Sequence, residues 1–204
     1  MRFALLVCVC ALGARAQEWI PLFDGKSLSG WKETPFRGHG SVTVENGAIV
    51  LPPGGPMSGV NYTGDFPKAG YEVRFEAMRT KGNDFFASLT FPVGESFMTW
   101  VTGGWGGDIV GLSSIDGWDA SDNETRSYYN FETDRWYSFR LQVTPQRIRA
   151  WIGDDSVINV SIEGRSIGLR PGDIALSAPF GFASYNTAGA LRKIEYRMMS
   201  KGDR

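Results

Sequence analysis

The sequence predicts an all-β fold, a single domain built as a jelly-roll β-sandwich of two curved antiparallel sheets. Three observations carry this. Turn signals made of Gly, Pro, Asn and Asp recur about every 8–15 residues, with short β-rich runs between them. Several of those runs alternate apolar with polar residues, the period-2 pattern of a half-buried strand. No stretch keeps the 3.6-residue apolar period of a helix, and no repeat or low-complexity linker divides the chain.

Residues 1–16 read as a secretory leader: Arg2 is the basic start, Phe3 to Leu12 the apolar stretch, and Ala14-Arg15-Ala16 the small-residue cleavage site. The apolar stretch falls short of the about 20 residues that span a bilayer. The domain is expected over 17–200, with 201–204 a short polar tail, in a periplasmic or extracellular location. Both cysteines, Cys8 and Cys10, fall in the leader, so the exported chain relies on its core and not on disulfides. With 21 basic against 22 acidic residues and no basic run, nucleic acid is not an expected partner. Asn61, Asn123 and Asn159 open N-x-S/T sequons.

In order, Glu18 to Trp31 opens with an edge strand, a turn at Asp24-Gly25 and a second approach. Ser41 to Leu51 is a hairpin about Asn46-Gly47, and Met57 to Phe66 returns as a short strand. Tyr71 to Arg79 alternates most cleanly: Tyr71, Val73, Phe75 and Ala77 take one face, and Glu72, Arg74, Glu76 and Met78 the other. Phe85 to Val93 and Phe97 to Thr102 follow, joined at Gly94-Glu95. Arg135 to Thr144 puts Tyr137, Phe139, Leu141 and Val143 inward and Arg140 outward. Arg147–Ile152 and Val157–Ile162 form a hairpin about Gly153-Asp154-Asp155 with Trp151 on its polar face. Asp173–Leu176, Gly181–Tyr185 and Leu191–Met198 supply the last strands. If these strands share a sheet, their Arg/Glu/Trp-rich face is a curved polar surface suited to a saccharide.

The most distinctive stretch is Trp100 to Thr125, where Trp105 sits in Gly103-Gly104-Trp105-Gly106-Gly107 with Asp108 directly after it. Glycine lets backbone approach closely, and an indole ring beside oxygen acceptors fits a sugar's flat face and hydroxyls. A Gly-rich turn with Trp105 as a core plug is the other reading. Trp100, Trp105, Asp116, Asp119, Arg140, Trp151 and Tyr185 are the candidate substrate-binding residues.

The opening Trp19-Ile20-Pro21-Leu22-Phe23-Asp24-Gly25-Lys26-Ser27-Leu28-Ser29-Gly30-Trp31 resembles the start of the 3-keto-disaccharide hydrolase family, whose fold is a concanavalin A-like jelly roll. The strand Tyr71–Arg79, the Arg135–Val143 strand with its following hairpin, and the closing Leu191-Arg192-Lys193-Ile194 are similar to that family in the same order. The chain departs from it in two places. Gly82-Asn83-Asp84-Phe85 stands where the family has an Asn-Ser-Gly turn, and the Gly-Gly-Trp-Gly-Gly-Asp segment stands where members have a Glu-containing strand. It is identified as a divergent branch.

The resemblance implies cleavage of a glycoside already oxidised at C3. The ketone acidifies the C2 hydrogen, a base removes it, the C1 substituent leaves, and water adds. Such a site needs a base, a positive group for the enolate and an acid for the departing oxygen. Expected catalytic residues are Glu76 as base, Arg74 or Arg192 at the enolate, and Asp108 as second carboxylate, with the two carboxylates interchangeable. A structural ion-pair network is the alternative for the same face. A separate sugar 3-dehydrogenase would supply the substrate.

A non-catalytic carbohydrate-binding domain stands as the rival class. Conventional glycoside hydrolysis fits less well: it needs two carboxylates about 5–5.5 Å apart or wider, whereas Asp116, Asp119, Asp122 and Glu124 are spaced as in a loop. That loop could instead hold a divalent cation such as calcium, though the sequence requires no cofactor. His39 is the sole histidine, in a Gly38-His39-Gly40 loop, which excludes a His-rich zinc site.

Overall fold

The alternating runs fold into two antiparallel sheets packed face to face. The computed structural model describes residues 18–200, so the expected leader (1–16) and polar tail (201–204) lie outside the described residues. Sheet A runs β13 (Asp155–Ser161), β12 (Arg147–Ile152), β11 (Trp136–Val143), β6 (Tyr71–Lys81), β15 (Ala188–Met198), β4 (Ala48–Leu51) and β3 (Thr43–Glu45), with β1 (Ile20–Pro21) added on β15. Sheet B runs β10 (Ser127–Tyr128), β9 (Ile109–Ser113), β8 (Ser96–Gly104), β7 (Ser88–Val93), β14 (Gly181–Tyr185), β5 (Met57–Tyr62) and β2 (Trp31–Glu33). Strands adjacent in the chain often lie apart in the sheets, as the crossovers of a jelly roll require. Among the described residues no helix is long and apolar enough to cross a membrane.

The inward faces meet in an aromatic core. Phe75 on β6 and Phe139 on β11 are opposite in register and stack with centroids 4.9 Å apart and ring planes 5° from parallel. Trp100 from sheet B stands edge-on to both, at 6.3 and 5.6 Å, and Phe182 meets Phe75 at 4.9 Å. Offset and edge-to-face contacts of this kind add about 0.5–1.5 kcal/mol each beyond area burial. The expected inward residues of β6 and β11 are all buried.

Three expectations change. Trp100, expected at the substrate site, is fully buried between the sheets, because Leu89 opposite it places that register on the core side. Asp173–Leu176 is a short 3₁₀ turn, Asp173–Ser177, not a strand; Gly172, at φ 126°, precedes it and Pro179 follows closely. The strand expected from Phe85 begins only at Ser88, leaving residues 84–87 outside regular structure.

Replacing Phe139 with Ala should remove the stack, with cavity and transfer terms totalling about 3–5 kcal/mol. A urea titration followed by tryptophan fluorescence measures it.

Candidate functional site

An open concavity lies on the outer face of sheet B. Along β8, Met98 and Trp100 turn into the core, so Thr99 and Val101 face outward. Thr99 pairs with Ser113 on β9 and with Thr90 on β7, and Ser88 continues the same small, polar floor. Short side chains there leave a cleft of about 360 Å³, walled by Asp84, Phe85, Trp105, Arg170, Asp173 and Tyr185. Trp105 and Tyr185 are 40% and 37% exposed, so each presents a ring to the opening. The Arg170 guanidinium lies 5.7 Å from the Trp105 ring centre and is held by Asp119 at 3.3 Å.

Trp105 reaches the cleft because of the glycines around it. The β8–β9 turn closes by Gly107 N–H donating to the Gly104 carbonyl at 3.2 Å, and Trp105 itself takes a left-handed φ of 49°. Gly107 has φ 111°, and a Cβ there would lie 2.8 Å from Arg79 Nη1 and 2.9 Å from the Asn83 carbonyl oxygen. Only glycine fits that position. Arg79 sits buried below, donating to the carbonyls of Gly107 (3.2 Å) and Phe131. The Asp84 carboxylate accepts the Phe85 N–H at 2.8 Å and also faces the N–H groups of Gly106 and Trp105. Burial pushes its pKa above the ordinary aspartate value, outweighing those amides and the nearby Arg79 charge. Asp84 is thus a carboxylate of raised basicity at the edge of a cleft bearing an aromatic platform and a guanidinium.

A second tether fixes the far wall. Asn61 on β5 is buried, and its amide donates to the carbonyls of Leu176 (2.8 Å) and Ala178 (3.1 Å), while Thr34 Oγ1 donates to its oxygen. This pins the 3₁₀ turn carrying Asp173 and Ile174, and it leaves no room for a glycan on Asn61. The Asn123 amide is likewise engaged, by the carbonyls of Leu112 and Trp118. Of the three sequon asparagines, only Asn159 is exposed.

The residues expected to be catalytic lie elsewhere. Glu72, Arg74 and Glu76 on β6, Arg140 on β11, Trp151 on β12 and Arg192 on β15 do share one face, but it is the outer face of sheet A. Both Glu76 oxygens are engaged, by Arg192 Nε at 2.6 Å and Lys193 Nζ at 2.7 Å. Burial raises the Glu76 pKa, but the bonds from Lys193 and Arg192 outweigh it and hold it below the usual glutamate value. Arg74 pairs with Glu195 at 2.6 Å, Arg140 covers the Trp151 ring at 3.8 Å, and Arg192 covers Trp136 at 3.9 Å. Asp108 is exposed on the β8–β9 connection of the other sheet, where its carbonyl accepts the Tyr129 N–H. The structure therefore does not bring Glu76 and Asp108 into one cavity. It brings together Trp105 and Tyr185, and Asp119 behind Arg170. Asp84, Arg170 and Asp173 were not singled out from the sequence; the one signal was the altered turn at residues 82–85.

The acidic loop is a knot of ion pairs. Arg165 bridges Asp116 and Glu124, each at 2.6 Å, and holds both carboxyls below their usual values. Asp122 accepts the Ser121 hydroxyl at 2.6 Å. Among the described residues no group of three or more His, Cys, Asp or Glu is placed to hold a metal ion. His39 faces Glu33 at 3.1 Å in its loop, away from the cleft.

Residues 18–197 match the profile of the 3-keto-alpha-glucoside-1,2-lyase-like domain. No curated protein matches the chain in sequence. Solved structures share its architecture at low identity. The carbohydrate-binding module CBM66 of Bacillus subtilis aligns with a TM-score of 0.55 and 10% identity, over 82% of this chain and 95% of that one. A mucin-degrading endo-acting O-glycanase expressed by members of the human gut microbiota aligns at 0.57 and 14%, over 90% and 99%. Domain 4 of AbnA, an extracellular arabinanase of Geobacillus stearothermophilus solved with arabinotriose, aligns at 0.55 and 13%, over 83% and 82%. These neighbours establish the sandwich fold.

Glu76→Gln should cost roughly 1 kcal/mol near neutral pH, the scale of a partly exposed pair. Because the folded pKa is lowered, the ion-pair contribution is complete above the ordinary glutamate value near 4.5 and disappears as pH falls through the folded value. Wild-type and variant melting temperatures should therefore converge in acid, which thermal scans across that range measure.

Proposed function

The chain belongs to the 3-keto-alpha-glucoside-1,2-lyase-like domain family and is a carbohydrate-active jelly roll, and we propose that it is an exported enzyme cleaving 3-keto-glycosides in the sheet B cleft. One observation carries this reading: a carboxylate of raised pKa (Asp84), a guanidinium (Arg170) and an exposed indole (Trp105) converge on one cleft. Trp105 stacks under the sugar ring. Asp84 takes the proton from C2, and its electron pair moves into the C2–C3 bond as the enolate oxygen at C3 gains charge opposite Arg170. The enolate then expels the C1 substituent, whose oxygen is protonated from the Tyr185 hydroxyl, and water adds to the resulting enone. An ordinary glycoside lacks the ketone, so its C2 hydrogen is not acidic enough for this base.

The rival, a saccharide-binding domain without catalysis, is favoured by a specific contact. Asp84 also faces the backbone amides of Trp105 and Gly106, so it has a structural task that would exist without chemistry.

Purified protein incubated with a 3-keto-glucoside and with its unoxidised parent separates the two. The enzyme reading expects aglycone release from the keto compound alone, lowered at least about 100-fold by Asp84→Asn, the scale of a lost general base. Its kcat/KM should rise with pH as Asp84 ionises, with an apparent pKa above the ordinary aspartate value of 3.8. Saturable glycan binding lost in Trp105→Ala, with no turnover of either compound, would establish the binding domain instead.

A further inference from the structure

The outer face of sheet A carries more positive charge than its own architecture uses. Across β6, β11, β12 and β15 the outward charged side chains are Arg74, Arg140, Arg147, Arg149, Arg192, Lys193 and Arg197 against Glu72, Glu76 and Glu195. The carboxylates are saturated: Glu72 takes Arg140 and Arg197, Glu76 takes Arg192 and Lys193, and Glu195 takes Arg74. No carboxylate pairs with Arg147 or Arg149 among the described residues. Arg147 bonds the Asn159 amide oxygen at 2.8 Å, and the exposed Arg149 side chain has no hydrogen-bond or ion-pair partner there. A self-contained ion-pair ladder needs one cation per carboxylate, yet this face gathers a surplus on a chain with net charge −1.

The two arginines that no carboxylate pairs with also share a hollow. Arg147 and Arg149, with Gln142, Thr144 and Gln146, line a depression of about 270 Å³ at the β11–β12 end of the face. Forked guanidinium donors flanked by side-chain amides are the chemistry of an oxyanion site bordered by sugar hydroxyls. From there guanidinium groups continue through Arg140 to Arg74, directly opposite each other on β11 and β6, and to Arg197 on β15. Three strand spacings span about 14 Å, room for several residues of an extended glycan. The tryptophans of this face lie beneath guanidiniums, Trp151 under Arg140, Trp136 under Arg192 and Trp19 under Arg74. A guanidinium over each ring occupies the face on which a nucleic-acid base would stack, the contact by which single strands are ordinarily held.

We propose that this face is a second carbohydrate surface, separate from the cleft, which binds an acidic polysaccharide with a sulfate or carboxylate group seated in the Arg147–Arg149 hollow. It would anchor the protein to an anionic glycan matrix while the sheet B cleft stays free. The proposal does not depend on the cleft being catalytic.

Affinity electrophoresis or calorimetry of the purified protein against heparin, polygalacturonate, neutral dextran and a single-stranded oligonucleotide tests it. Binding to heparin or polygalacturonate, absent with dextran, weakened at least tenfold by raised salt and by Arg149→Glu, and unchanged in Trp105→Ala, is the expected result. The stronger of the two acidic glycans identifies sulfate or carboxylate as the seated group. Arg149 is exposed and unpartnered, so its variant should fold, which circular dichroism checks; Arg147→Gln offers an independent second loss. No retention on either acidic glycan at low salt overturns the proposal. So does binding unaffected by both arginine variants, binding abolished by Trp105→Ala, or equal affinity for the oligonucleotide.

Discussion

Everything else in the molecule rests on the aromatic wedge between the sheets. Phe75, Phe139, Trp100 and Phe182 interlock from both sides, and nearly all of their surface leaves water. Strand side chains alternate strictly, so a one-residue slip of β6 would drive Arg74 or Glu76 into this core and put Phe75 in water. The wedge therefore sets the register of β6 against β11 and β15. That register, not any local preference, aligns the carboxylates and guanidiniums on the outside. Core and charged face are two consequences of a single alternation.

The two outer faces resolve the same constraint in opposite ways. On sheet A the outward residues are long and charged, and they close over one another. Glu72 is only 1% exposed, between Arg140 and Arg197. A carboxylate so buried is tolerable only with paired cations, and removing either would leave a desolvated charge. On sheet B the outward residues are Ser88, Thr99, Val101 and Ser113, too short to cover the sheet. The hollow they leave is walled by loops. A ligand there can lie close to the strands while the loops supply the chemistry, the usual division between a rigid scaffold and functional connections.

That division explains what could be read from the sequence. The hairpin at Asn46-Gly47, the inward sets of β6 and β11 and the β12–β13 hairpin are local patterns, and each follows from spacing alone. The polar face of β6, β11, β12 and β15 was also legible as a shared surface. Its use was not, because alternation tells which residues leave the core but not whether partners on neighbouring strands will consume them. Glu76 illustrates this: Arg192 and Lys193, which occupy it, are more than a hundred residues away in the chain. Trp105 was legible because glycines mark a position where only close backbone approach makes sense. Trp100, five residues earlier, stands in a β-rich run whose inward face is set by pairing with Leu89 on the neighbouring strand. Arg170 and Asp173 carry no motif, and the contacts that hold their segment at the cleft, Asp119 on Arg170 and Asn61 on Leu176, come from distant parts of the chain.

Two pieces of sequence that build the cleft wall lie in contact. The turn at Gly82-Asn83-Asp84-Phe85 and the Gly-rich β8–β9 connection meet where Asp84 faces the N–H groups of Trp105 and Gly106, and where a Cβ on Gly107 would lie 2.9 Å from the Asn83 carbonyl oxygen. A Cβ at residue 107 would collide with the Asn83 carbonyl, and loss of the Asp84 carboxylate would leave loop amides without their acceptor. Each piece supports the other's conformation, so the two form one structural unit. Its product is an indole held over the cleft in a left-handed backbone conformation with a half-buried carboxylate beneath it. The cleft wall is thus carried by connections while the strands beneath form the scaffold, an arrangement in which the wall can vary without a change of fold.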